Sequence, residues 1–343
     1  MNKKFNIGIV GATSLLAGNI IKILGEHPFI DLKVIVSEHN PGEPLHKFHN
    51  IRNNELKKQK LDSYSPDRIK KELDLVFVAK PHTQSMKYVK ELYNGKLKII
   101  DLSGDFRIQD VSAYEKWYKT KHTAKDLIEG AVYGLSEIYK DDLKKALLVA
   151  NPGCFPTGVL LPLYPLIKKK MILLDSISIT AYTGVSGAGK NPIPGKNLFL
   201  DIFNNIMAYR ITDHQHTPEI EEQLSLFSGD KTKINFVPHL VSIEDGIYST
   251  MYMKLQAGFK SKDICSALQD FYKASPFITL TETIPQIKDV THTNSCLIYP
   301  EVNERTGSLI LISVIDNTIK GGAGQAIQNM NLMLGFDDAT GLI

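Results

Sequence analysis

Cys154 stands in LVANPGCFPTGV (148–159), straight after a Pro-Gly pair and before PTGVLLPLYPLI, whose apolar residues recur at helical spacing. The commoner fate of a lone cysteine is a buried core position. Here the spacing puts the thiol at or near a helix N-terminus, where the positive end of the helix favours a thiolate and hence a nucleophile. Covalent catalysis by a thiol needs a proton carrier beside it. DHQHTPEI (213–220) supplies two, His214 and His216, with Pro218 and Glu219 in front of a helix. The same HxH pair could ligate zinc, but no third ligand cluster stands out, and acid/base work is the better reading. Two further segments suit anions. TGVSGAGK (183–190) is a glycine-rich loop after a strand, with backbone N–H groups to offer and Lys190 at its end. IIDLSGDFRI (99–108) sets Ser103 and Gly104 at the carboxyl end of a strand, followed by Asp105 and Arg107. The guanidinium either grips a phosphate through two parallel bonds or pins the loop against the aspartate.

These residues need elements to hold them. FNIGIV (5–10) reads as a buried strand and LLAGNIIKILGEH (15–27) as a helix ending near Gly25. The turn between them lacks the GxGxxG spacing yet keeps small residues at Gly8, Gly11, Ser14 and Ala17, every third position, so backbone can approach a pyrophosphate at the helix start. DLKVIVS (31–37), LDLVFVA (73–79) and LKIIDLS (97–103) are further short apolar runs alternating with polar helical stretches. That pattern predicts a Rossmann-like, doubly wound parallel sheet. The second strand ends in Ser37 where an NAD enzyme usually has an acidic residue, which leaves room for a 2′-phosphate and points to NADP. Glu38 next door would repel that phosphate if it pointed inward, and His39 could offset it.

After residue 151 the strands lengthen and alternate with period two, as in SISITAYTG, KINFVPHLV, GIYSTMYMKLQ and GSLILISVID. They predict an α+β domain with a mostly antiparallel sheet over 151–316. The first domain then spans 1–150 and 317–343, because NTIKGGAGQAIQNMNLMLG (317–335) is a glycine turn and helix suited to packing back on it.

The length of 343 residues exceeds what one core usually fills, in line with two domains. A balance of 40 basic against 37 acidic residues gives +3, too even for a nucleic-acid binder and compatible with a small anionic substrate. The Lys168 to Lys170 run reads as a solvated helix end. Three cysteines with no CxxC pair exclude a disulfide framework and a Cys-rich zinc site and fit a reducing compartment. The apolar start of MNKKFNIGIVGATS meets glycine at once, and no apolar run reaches membrane-spanning length. The expectation is a cytoplasmic protein with no membrane partner.

Taken together, GIVGATS, DLSGDFR, VYGLSE (132–137), VANPGCFPT, TGVSGAGK, HTPEI, FVPHLVSIEDGI (236–247) and DNTIKGGAGQAIQNMN (316–331) resemble the N-acetyl-γ-glutamyl-phosphate reductases of arginine biosynthesis. That family is a branch of the aspartate-semialdehyde dehydrogenase superfamily. The resemblance implies Cys154 as nucleophile, His216 as acid/base with His214 beside it, and a homodimer or homotetramer. It implies NADP held by Gly11, Thr13, Ser14, Leu15, Ala17 and Ser37, with Ser186, Gly187, Asn317 and Gly321 closing over it. It implies substrate contacts from Ser103, Arg107, Asn151, Lys190 and Glu219. The chain departs from the family at Gln215, where arginine is usual between the histidines, at Glu38, where arginine follows the serine, and at His292, where glycine precedes TNxC. Lys190 in place of arginine keeps the charge and loses the planar fork. Rival readings are the reductase of carrier-protein lysine biosynthesis, a nucleotide-binding regulator without turnover, and a metal hydrolase built on His214 and His216.

Overall fold

The structure is a computed structural model that describes residues 4–188 and 201–342. Its contacts divide the chain into two units, Met1–Pro152 with Gly322–Ile343, and Gly153–Gly321.

In the first unit β1 (Phe5–Val10), β2 (Ile30–Val36), β3 (Leu75–Val78), β4 (Lys98–Asp101), β5 (Ala131–Tyr133) and β6 (Leu148–Ala150) form one sheet. Its order is β2-β1-β3-β4-β6-β5 and every pairing is parallel. Around it run α1 (Leu15–Leu24), α2 (Pro66–Glu72), α3 (Ser85–Leu92), α4 (Val111–Tyr118) and α5 (Lys140–Leu143). Successive strand residues point to opposite faces and both faces are covered, which is why the strands read as unbroken apolar runs. Ile7, Ile9 and Phe77 pack with Ile20 and Ile21 of α1 on one face. Val76 and Val78 pack with Met86 and Val89 of α3 on the other. The doubly wound sheet is therefore as expected, and its ligand crevice lies beyond the carboxyl ends of β1 and β3, where the winding reverses.

The second unit opens with α6 (Cys154–Lys168) and continues through β7 (Ser178–Thr183), β8 (Ile206–Ala208), α7 (His216–Ser228), β9 (Asn235–Val241), β10 (Ile247–Lys254), α8 (Ser261–Tyr272), β11 (Ile278–Leu280), β12 (Cys296–Asn303) and β13 (Ser308–Ile315). Its sheet runs β11-β12-β13-β10-β7-β9-β8. All pairings are antiparallel except β7 with β9 and β11 with β12, so the sheet is mixed but mostly antiparallel. Alternation sets the two faces of β10. Ser249, Met251 and Met253 are buried on the side that α6 covers, and Tyr248, Thr250 and Tyr252 lie on the other. The helix α6 runs through Pro162 and Pro165, and the lysines at its end are exposed as expected. The final helix, α9 (Gly324–Leu334), returns to the first unit, where Ala326, Ile327 and Met330 join the α1 core.

Candidate active site

Cys154 is the first residue of α6, half-buried, behind an extended N-cap, Gly153. The Gly153 N–H donates to Glu219 Oε1 at 2.9 Å. Glu219 is fully buried in the first turn of α7, so one carboxylate fixes the start of α6 to the start of α7, at an end where negative charge is favoured. The neighbouring ring, Phe155, carries both histidines. His214 lies 5.5 Å and His216 5.8 Å from it, centroid to centroid, with the two imidazoles 4.9 Å apart. His214 Nδ1 accepts the His216 backbone N–H at 3.1 Å, which leaves the proton of neutral His214 on Nε2. His216 begins α7, so the helix starts ahead of Pro218 and Glu219 rather than after them.

Two more residues belong to this cluster. A Cβ on Gly321 would stand 2.7 Å from the Cys154 Cβ, so only glycine lets this backbone pass. Tyr209, edge-on to His214 at 5.5 Å, has its phenol pushed up by burial and then by Cys154. Nothing in the spacing of AYRITDHQH marks Tyr209, and the reading of the sequence passes over it. At the departure Gln215, Arg210 donates to Oε1 at 3.3 Å, so a cation stands against this position from five residues upstream.

Asn317 accepts the Gly246 N–H at 2.6 Å and donates to Ser186 Oγ at 2.9 Å, fixing the turn Val185–Ala188. The N–H groups of Val185, Ser186 and Gly187 bond to the carbonyls of Ile243, Glu244 and Gly184, so they are not aimed at an anion as the glycine-rich loop suggests. Lys190 lies outside the described residues. His292 adopts φ 63°, the left-handed region that explains why glycine is usual there. Among the described residues, the one three-residue grouping with metal-ligand geometry is Asp245, His292 and Asp316. His214 and His216 belong to no such grouping, against a hydrolase built on them.

In the first unit Gly11 turns the chain after β1 at φ 89°, and a Cβ there would stand 2.4 Å from the Ala79 carbonyl oxygen. Ser14 caps α1 by accepting the Ala17 N–H at 3.2 Å. Gly11 and the buried Ala17 keep bulk away from this helix start, which suits the close approach of a pyrophosphate, and the residues fit a dinucleotide. Ser37 is buried and accepts weakly from Asn40 at 3.5 Å. Ser103 donates to Asp101 at 2.7 Å and accepts the Asp105 N–H at 3.0 Å. Arg107 is buried and donates to the carbonyls of Asn151 at 2.7 Å and Leu102 at 3.0 Å. Asn151 donates to the Gly322 carbonyl and accepts from Asn329.

The semialdehyde dehydrogenase NAD-binding domain model matches residues 6–146, and the semialdehyde dehydrogenase dimerisation domain model matches 154–317. The N-acetyl-gamma-glutamyl-phosphate reductase of Campylobacter jejuni strain 81-176 is 41% identical over 99% of this chain and 98% of its own length. The protein of the same name from Pelotomaculum thermopropionicum is 39% identical over 98% and 97%. The chain belongs to the semialdehyde dehydrogenase family. Solved members share the fold at lower identity. Aspartate semialdehyde dehydrogenase II from Vibrio cholerae, complexed with ASA, superposes with a TM-score of 0.73 at 17% identity, covering 97% of this chain and 99% of that one. The Candida albicans enzyme with NADP gives 0.71 at 14% over 97% and 99%. As a semialdehyde dehydrogenase relative, the protein is an oxidoreductase acting on aldehyde groups, and its first unit is a nicotinamide-dinucleotide-binding domain.

Proposed function

We propose that the protein reduces N-acetyl-γ-glutamyl phosphate to N-acetylglutamate γ-semialdehyde with NADPH, releasing phosphate, in the cytoplasm as a step of arginine biosynthesis. The observation that carries this reading is Cys154 as first residue of α6, with both histidine rings resting on the next side chain, Phe155. The thiolate attacks the γ-acyl carbon, the C–O bond to phosphate breaks, and an S–acyl bond to Cys154 remains. The helix start stabilises the oxyanion as it forms. When bound, the reduced nicotinamide supplies the hydride that the thioester carbon accepts. His216 protonates the oxygen of the resulting thiohemiacetal and takes that proton back as the C–S bond breaks, which releases the aldehyde and regenerates the thiolate. Arg107 and Lys190 are the proposed grips for the phosphate. Ser37 leaves room for the cofactor's 2′-phosphate. The second unit pairs with another copy of itself.

The test runs the reaction backward. The thioester formed from the semialdehyde and NADP⁺ leaves the enzyme only when a nucleophile such as phosphate attacks it. Without phosphate, NADPH formation stops near about one equivalent per active site, and phosphate or arsenate restores steady turnover. Sustained NADPH production in phosphate-free buffer is the signature of a hydrolytic aldehyde dehydrogenase and refutes the proposal.

A further inference from the structure

Glu38, two residues beyond β2, sets a negative charge where a 2′-phosphate would arrive. A cation stands there all the same. Lys80, two residues beyond β3, forms an ion pair with Glu38, and its ammonium lies 4.6 Å above the ring centre of Tyr88. Tyr88 closes the cluster by donating its hydroxyl to the other Glu38 oxygen at 2.6 Å. Burial pushes the Glu38 carboxyl up, yet the bonds from Lys80 and Tyr88 outweigh it and hold the group below the usual carboxylate range.

Position gives this cluster its meaning. The Lys80 stem lies over the glycine turn, its Cδ 3.2 Å from where a Cβ on Gly11 would sit. β3 pairs directly with β1, and β2 pairs with β1 on its other side. Lys80, Gly11 and Glu38 therefore stand at three adjacent strand ends around the crevice where such sheets bind nucleotides, and the adenosine ribose belongs at the β2 tip. Only 11% of the Lys80 side chain is exposed, so its stem is covered and its ammonium is held at the crevice beside the Glu38 carboxylate.

We infer that Lys80 is the cation that receives the adenosine 2′-phosphate, and that Glu38 competes for it, so the Glu38–Lys80–Tyr88 cluster sets the preference between NADPH and NADH. This rests on the reading that the first unit takes NADP. With NADH no phosphate arrives, Glu38 keeps Lys80, and the carboxylate stays beside the ribose hydroxyls. With NADPH the phosphate replaces the carboxylate as partner of the ammonium, and Glu38 is left as a like charge nearby that weakens the complex.

The experiment measures dissociation constants, not turnover, for NADPH, NADH, 2′,5′-ADP and 5′-AMP by fluorescence and calorimetry. Lys80→Met keeps the stem and removes the charge. It weakens NADPH and 2′,5′-ADP by about 10- to 100-fold, the size of a lost charge-assisted bond, and leaves NADH and 5′-AMP within about threefold. Lys80→Arg restores the discrimination. Glu38→Gln removes the competitor and tightens 2′,5′-ADP by several-fold, roughly the effect of one nearby like charge at a solvated site. Equal losses for both cofactors in Lys80→Met make Lys80 a prop for the glycine turn and overturn the inference. Should Lys80→Met not fold, Glu38→Gln decides alone: unchanged or weaker 2′,5′-ADP binding overturns it. A wild-type protein that binds NADH more tightly than NADPH overturns the NADP reading itself, a result separable from any variant.

Discussion

At Cys154 four otherwise ordinary residues become specific through placement. The sulfur begins a helix, both histidines meet Phe155 in T-shaped contacts, and Glu219 locks the two helix starts together. Cys154→Ser is expected to abolish turnover while NADPH binding survives, because a hydroxyl without a strong base is a far weaker nucleophile than a thiolate. Iodoacetamide should label Cys154 faster than Cys265, on the side of α8, or Cys296, which is buried against Ser313. Faster labelling of either other thiol contradicts the assignment. His216→Asn should lower kcat by about 10² to 10⁴, the range for a lost general acid/base, with His214→Asn milder. His214 already gives Nδ1 to a backbone N–H, and a reversed order of effects would reassign the roles. The thiol and the HxH pair were legible in the sequence because cysteine and histidine are rare and chemically distinct. Tyr209 was not, since one of 14 tyrosines carries no local sign that the fold will bring it against His214.

The elements that hold these residues follow from periodicity where the runs are long. The strands at 5–10, 30–36 and 247–254 and the helix from Cys154 match apolar runs or alternation that can be read directly. β5, β6, β8 and β11 are three residues each, too short for a period to show, and only their neighbours in the sheet define them. Gly321 illustrates a constraint spacing cannot reveal. Gly321→Ala pushes a methyl into the Cys154 Cβ, and kcat should fall sharply with the far-ultraviolet spectrum unchanged. The crevice end of β4 adds a pH effect. Burial, and then the charge of Asp105, pushes Asp101 up to about 7. Between about pH 4 and 7 the native state keeps a proton that the unfolded chain releases, so this group's contribution makes stability fall as pH rises through that window. Asp101→Asn should flatten that part of the urea-midpoint profile, and an unchanged slope from pH 4 to 7 would falsify the linkage.

At the scale of the molecule, no helix among the described residues of the second unit covers one face of its sheet. Register sets Tyr299, Ile312, Thr250 and Thr180 in one row across four strands, and Leu297, Tyr248, Tyr182 and His239 in the next, with Val314 buried among them. Tyr182 and His239 stack at 4.9 Å, and Tyr252 is 46% exposed. A broad face of aromatic and β-branched side chains is what a stable self-association buries, whereas a sheet meant for water alternates to charged residues. The pairing proposed for this unit would run through such a shared, self-complementary patch. Ile312→Asp places a charge at the middle of the face, where a lone monomer tolerates it in water and a buried interface does not. Light scattering after gel filtration should show the wild-type mass at micromolar concentration halved in the variant, with the helical spectrum retained. A wild-type monomer, or an unchanged mass in Ile312→Asp, removes this face as the interface. A tetramer that drops to a dimer keeps it as one of two.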